Sequence, residues 1–296
     1  MEAGAQWADC ANRALAGCNW LAEREGALCP SCRLTRTRPA NADAAGLEAL
    51  VVAERAKRRA LVQLMELGLP GITAGALAFD LLSSAERPVT TGHADGVITI
   101  DLAESDDARR EARRAQLGEP YRTMLGTLRH ELGHYMQPLL LVGDEAWTAC
   151  RRLFGDDRAD YGEALERHYT DGPPPDWQDR YVSAYATMHP WEDWAETFAH
   201  YLHITDTLET AAEFGVVVGG PRAVVADDSL TAVPTAEAGE HDFAALISSW
   251  LPLTYALNAI NRSMGRDDLY PFALAPAVVQ KLSFVHQRVL AVSHAP

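Results

Sequence analysis

Basic residues are scarce in this chain: 26 Lys and Arg stand against 41 Asp and Glu, a net charge of −15. Neutralising a phosphate backbone needs a basic face, so nucleic-acid binding is excluded as the main activity. The local basic stretch Arg109, Arg110, Arg113 and Arg114 is interleaved with Asp106, Asp107 and Glu111, and reads as a solvated helix face. No run approaches the roughly twenty apolar residues of a membrane span, and the N-terminus lacks a charged region followed by an apolar one. A cytoplasmic protein without membrane partners is therefore expected. Cysteine is sparse too, five in 296 residues, four of them within the first 32. That setting disfavours a disulfide framework. A core is not lacking: 48% hydrophobic and 23% charged residues describe an ordinary folded chain, long enough for one large domain or two modest ones.

The four early cysteines, Cys10, Cys18, Cys29 and Cys32, fall in CANRALAGCNWLAEREGALCPSCRLTR. The last two form a CxxC, whose thiolates reach one metal ion from a tight turn. The first pair is more widely spaced than a ribbon knuckle. A single four-cysteine zinc site is the favoured reading, closed and therefore structural. Cys150 stands alone in an expected helix and reads as a small buried apolar residue.

Beyond a polar connector near Thr37 to Ala45, LEALVVAERAKRRALVQLMELGLP has the period of one long amphipathic helix ending at Gly68 and Pro70. PVTTGHADGVITIDLA follows, with short β-branched runs on either side of a GHADG turn. Helices are then expected over 104–116, 121–137, 144–153, 156–168, 177–187 and 191–208, a long acidic loop over 216–240, and helices over 243–261 and 276–292. No internal repeat is visible.

Chemistry concentrates in LRHELGHYMQP, a helical run that Pro138 is expected to end. His130 and His134, four apart, project from one face of a helix and suit one Zn²⁺. Glu131, beside the first, is placed to serve a metal-bound water as general base without competing for the metal. A catalytic zinc wants a third protein ligand. The short-spacer HExxHxxGxxH pattern is excluded because position 140 is Leu140. The candidates lie in VSAYATMHPWEDWAETFAHYLH, where Pro190 suits a first helical position and Glu192, Glu196, His200 and His203 recur along one face. Glu192 is favoured as ligand, with Glu196 a turn later accepting a hydrogen bond from a liganding histidine. Glu196 itself, or a histidine among His189, His200 and His203, is the alternative.

The pattern Glu192, Ala195, Glu196, Phe198 after HExxH resembles lethal-factor-like and Pro-Pro-endopeptidase-like gluzincins. That resemblance implies Glu192 as zinc ligand and gives Tyr185, seven residues earlier, the role of stabilising the oxyanion. Over nearly its whole length, through CNWL, CPSCRLTRT, TGHADGVITI, EPYRTMLGTLRHELGHY, HPWEDWAETFAHYLHITDTL and NAINRSMGRDDLYPF, the chain resembles bacterial zinc-binding metallopeptidases with an N-terminal zinc ribbon. The expected fold is accordingly α+β and mostly helical. It comprises a four-cysteine zinc-ribbon-like segment over 1–40 and a zincin-like domain over 41–296, with a small β-sheet beside the HExxH helix.

The expected activity is peptide-bond hydrolysis of a peptide or protein substrate, with one catalytic and one structural zinc. Two rivals stand beside it: a zinc hydrolase of a non-peptide amide, and an idle site in a binding or scaffold protein. The strand near Val97 to Leu102 would suit pairing with an extended peptide, or equally is an internal core strand. Trp147, Trp177, Trp191 and Trp194 would line a cleft or, more often for helix-spaced tryptophans, the core.

Overall fold

The computed structural model describes residues 7–85, 87–105, 123–219, 230–231 and 243–293. The architecture is α+β and mostly helical, as expected, and the described residues include a small four-stranded sheet and two two-stranded pairs. Internal contacts divide the chain into two compact units, Met1–Leu139 and Leu140–Pro296.

The first unit begins with short pieces. β1 (Ala8–Asp9) pairs antiparallel with β2 (Leu21–Ala22), and two single-turn helices, α1 (Arg13–Ala16) and α2 (Pro30–Arg33), carry the chain between cysteines. α1 stops at Gly17, whose φ of 56° needs a residue without a Cβ penalty. α2 opens on Pro30, with Cys29 Sγ accepting the Cys32 N–H as its cap. β3 (Thr35–Thr37) follows, then α3 (Ala44–Glu66), the long helix foreseen from its period. Asp43 caps α3 by accepting the Gly46 N–H at 2.8 Å.

The face of α3 that buries Leu50, Ala53, Ala60, Leu61 and Leu64 also buries Glu54, Lys57 and Arg58. Lys57 donates to Glu54 Oε1 at 2.8 Å and to the Thr35 hydroxyl, while Arg58 Nη2 donates to the Gly17 carbonyl at 3.1 Å. Buried charges are tolerated only when bonded in this way. Here the bonds also fasten the cysteine segment to α3.

β4 (Ala78–Leu82), β5 (Gly92–Ala94) and β6 (Val97–Asp101) complete a four-stranded sheet of order β3-β4-β6-β5. β3, β4 and β6 run parallel, and β5 is antiparallel to β6. Ala94 pairs with Val97, so the hairpin turn is the two residues Asp95 and Gly96, with φ of 48° and 77°. Positive φ at both positions is what a two-residue turn between twisted strands requires. Phe79, Leu81, Ile98 and Ile100 are fully buried. The sequence reading has no strand at β4, because Asp80 interrupts its apolar run. Arg36 Nε holds that carboxylate at 2.9 Å. β6 lies between β4 and β5 and so is internal; it has no open side for an added peptide.

α4 (Met124–Leu140) carries HELGH and runs through Pro138 instead of ending there. Pro138 has no N–H to donate four residues back, and because it falls in the last turn the helix carries that loss only near its end. Of the helix foreseen over 104–116, Leu102–Ser105 forms a 3₁₀ turn. Residues 106–122, including Arg109, Arg110, Arg113 and Arg114, lie outside the described residues.

The second unit is helical: α5 (Asp144–Phe154), α6 (Tyr161–Asp171), α7 (Pro190–Glu213), α8 (Phe243–Ser263) and α9 (Pro276–Ser293). α7 is central and packs on α5, α8 and α9. Phe154, Trp194 and Phe284 form an aromatic core with ring separations of 5.6 to 6.3 Å. A buried pair, Lys281 Nζ to Asp193 Oδ2 at 2.5 Å, locks α9 to α7, and the same ammonium donates to the Arg180 carbonyl at 2.8 Å.

The helix foreseen over 177–187 is instead two 3₁₀ turns, Trp177–Asp179 and Tyr185–Thr187. Ser183 breaks it by accepting the Ala186 N–H on its hydroxyl, a local competitor of helical bonding. Within the segment read as a loop, β7 (Val217–Val218) pairs with β8 (Leu230–Thr231). Residues 220–229 and 232–242 lie outside the described residues.

α8 also departs from expectation: by length and composition it is apolar enough to cross a membrane, with mean hydropathy 1.4. Phe243, Leu246, Ile247, Trp250 and Leu253 are buried at helical spacing, the pattern of a helix with one face on a core.

Candidate metal centres

Cys10, Cys18, Cys29 and Cys32 are all buried, and their four sulfurs lie within 4.8 Å of one another. Cys18 Sγ is 3.6 Å from Cys29 Sγ. A tetrahedral zinc with bonds of ~2.3 Å spaces its sulfurs by about 3.8 Å. The set therefore fits one zinc, and none of the four is disulfide-bonded. Backbone amides already serve the sulfurs: Cys29 N–H donates to Cys10 Sγ at 3.3 Å and Cys32 N–H to Cys29 Sγ at 3.4 Å. The thiol of Cys29 is pulled down to about 5, chiefly by the side-chain hydrogen bond from Cys32. Burial pushes Cys18 up to about 11, and Cys32 is pushed up by its bond to Cys29 and by burial. Trp20 packs against the cluster.

On α4 the helical spacing brings the two imidazoles together, with Nε2 of His130 and His134 3.1 Å apart. Two nitrogens bound to one tetrahedral zinc at ~2.05 Å would stand about 3.3 Å apart, so this pair also fits a shared cation. Glu131, between them in sequence, is buried at 6% exposure. Tyr135, next on the helix, donates to the Gly71 carbonyl at 2.8 Å and meets His93 of β5 edge-on at 5.7 Å. Burial and neighbouring His134 lower His93 from its ordinary value. An open cleft of 490 Å³ follows β5, lined by Arg36, Thr91, His93, Asp95, Val97 and Thr99 among others.

In the second unit Pro190 begins α7, as foreseen, and His189 caps it by accepting the Trp191 N–H on Nδ1 at 3.1 Å. His189 Nε2 is engaged as well, donating to the Ala159 carbonyl at 3.1 Å. Glu192 follows in the first turn, buried at 2% exposure, and its Oε1 accepts the Tyr161 hydroxyl at 3.0 Å. Tyr185 belongs to the same group. Burial, the charge of Glu192 and a hydrogen bond with Tyr161 push its hydroxyl well above the usual phenol range. Glu196 accepts the Ser183 hydroxyl at 2.6 Å, and Ser183 holds the turn that carries Tyr185. His200 pairs through Nδ1 with the Tyr270 hydroxyl at 2.7 Å, and His203 packs on Trp250 and Tyr270. Of the tryptophans, Trp194 is fully buried, Trp191 meets Tyr161 edge-on at 5.9 Å, and Trp147 lies under Arg151.

Comparison with known proteins matches the family described as "Putative zinc-binding metallo-peptidase" over residues 47–288, and a zinc-ribbon domain over residues 1–43. The chain belongs to this zinc-binding metallopeptidase family. Similar curated proteins include one of Mycobacterium bovis and one of Mycobacterium tuberculosis, both named only as uncharacterized. Each is 50% identical over 285 residues, covering 94% of this chain and 81% of its own. No solved structure matches.

Within this family member, the sequence reading missed Tyr161. No motif includes it; the available signal was Asp160, an N-cap residue that puts Tyr161 at the first position of α6, where Asp160 Oδ1 accepts the Glu163 N–H at 2.8 Å.

Proposed function

We propose that this metallopeptidase hydrolyses peptide bonds at a zinc held by His130, His134 and Glu192, with a second, structural zinc on Cys10, Cys18, Cys29 and Cys32. The observation that carries the reading is the convergence of the two imidazoles beside a buried Glu131, in a chain whose family is zinc-binding. Two neutral imidazoles and one carboxylate make a net-negative donor set suited to Zn²⁺ and leave a position for chemistry. When bound, zinc supplies Lewis acidity, making water more acidic and a carbonyl more electrophilic.

The protein's own groups do the rest. Glu131 accepts the proton of the attacking water and delivers it to the departing amine. Tyr185, held protonated by its buried setting, donates to the oxygen on which charge develops. Glu196 steadies the turn bearing Tyr185 through Ser183 and takes the far nitrogen of a liganding histidine as a further partner. β5 is an edge strand among the described residues, so an extended peptide pairs there and not at β6.

The test is Glu131→Gln on a peptide library. Cleavage should fall roughly 10²–10⁴-fold with zinc content unchanged. Equal rates in the variant and the wild type, or cleavage of non-peptide amides alone, would discard the peptidase reading.

A further inference from the structure

Tyr161 stands where no general rule of zinc hydrolysis requires a residue. Its position is built from both sides. His189 accepts the Trp191 N–H on Nδ1, so its proton sits on Nε2, which donates to the Ala159 carbonyl at 3.1 Å. That bond latches the residues before α6 to the N-cap of α7. Asp160 then caps α6, and Tyr161, its first helical residue, is directed at the first turn of α7. The phenol ring lies 5.4 Å from His189 and 5.9 Å from Trp191, and its hydroxyl reaches Glu192 Oε1 at 3.0 Å. Glu192 is 2% exposed and Tyr161 37%, so the tyrosine forms the outer side of this contact.

We propose that Tyr161 is a positioning residue, which fixes the carboxylate of Glu192 for metal binding. The inference rests on the reading of Glu192 as zinc ligand. A hydrogen bond to one carboxylate oxygen fixes the carboxylate plane and hence the direction of the other oxygen's lone pairs. A phenol does this without charge: Lys or Arg in its place would neutralise the carboxylate and compete with the cation.

The experiment uses the full chain as purified with zinc, titrated with a chelator while retained zinc is measured, for wild type, Tyr161→Phe and Glu192→Ala. Glu192→Ala identifies the ion concerned by lacking it. Tyr161→Phe should release that ion at a roughly 10- to 100-fold lower chelator concentration, with the ribbon ion and the metal-free melting temperature unchanged. A cobalt-loaded sample should show the same variant with an altered visible spectrum. Zinc release from Tyr161→Phe that matches wild type overturns the proposal. So does a variant that does not fold, or that melts lower without metal, since Tyr161 would then be a packing residue. If Glu192→Ala keeps both ions, the ligand reading itself fails, a separate result.

Discussion

At the scale of the residue, the proposed mechanism assigns the proton chemistry to Tyr185 as donor and Glu131 as acceptor. The Tyr185 hydroxyl is pushed far above the ordinary phenol range by burial and by Glu192, so it stays protonated through the whole neutral and mildly alkaline range. Tyr185→Phe, which removes only the hydroxyl, should lower kcat roughly 10²–10³-fold with little change in KM. Because the group does not titrate in that range, the deficit should be the same at pH 6 and pH 9. Steady-state kinetics at both pH values checks this, and a deficit confined to one of them would remove Tyr185 from the oxyanion role. HELGH and the Glu192–Glu196 pattern were legible because each is a local spacing on one helix. Tyr161 was not, since its contact with Glu192 depends on the His189–Ala159 latch across a loop, which no residue spacing encodes.

At the scale of the element, helices of the second unit were legible wherever their apolar period was unbroken, as in α5, α7 and α9. Misreadings cluster where a polar group found a tertiary or local partner. Asp80 hid β4 because its neutraliser, Arg36, lies on another strand; Ser183 broke a helix whose composition looked continuous. The Asp80 carboxyl is held below its ordinary value, chiefly by the hydrogen bond from Arg36. A depressed folded-state pKa means stability that is fully present above about pH 4, the ordinary carboxylate value, and lost as pH falls through the depressed one. Arg36→Met should therefore destabilise the protein at pH 7, and the gap from wild type should close as the solution is made more acidic. Urea unfolding across that acid range measures it; a gap that persists unchanged at the lowest pH would mean that Arg36 acts by packing and not by charge.

At the scale of the whole molecule, the family and the α+β, mostly helical class could be read from motifs spread along the chain. The strand order β3-β4-β6-β5 could not, since it needs the crossover through α3 and two strands, β3 and β4, that sequence did not reveal. The cysteine segment and the histidine helix are separate donor sets of different chemistry, one of four thiols and one of imidazoles. Metal analysis of the whole chain should therefore find about two zinc ions, falling to about one in Cys29→Ser/Cys32→Ser and to about one in Glu192→Ala. The two losses should differ in consequence. The cysteine cluster lies in a segment of two-residue strands and single-turn helices that has little regular structure of its own, so a zinc held there would be coupled to folding. Its loss should lower the melting temperature, with the bonds from Lys57 and Arg58 leaving α3 itself in place. Loss of the other ion should abolish hydrolysis with a smaller effect on melting. Mass spectrometry for metal content beside a thermal melt separates the two, and a wild-type chain holding one ion would eliminate one of the sites.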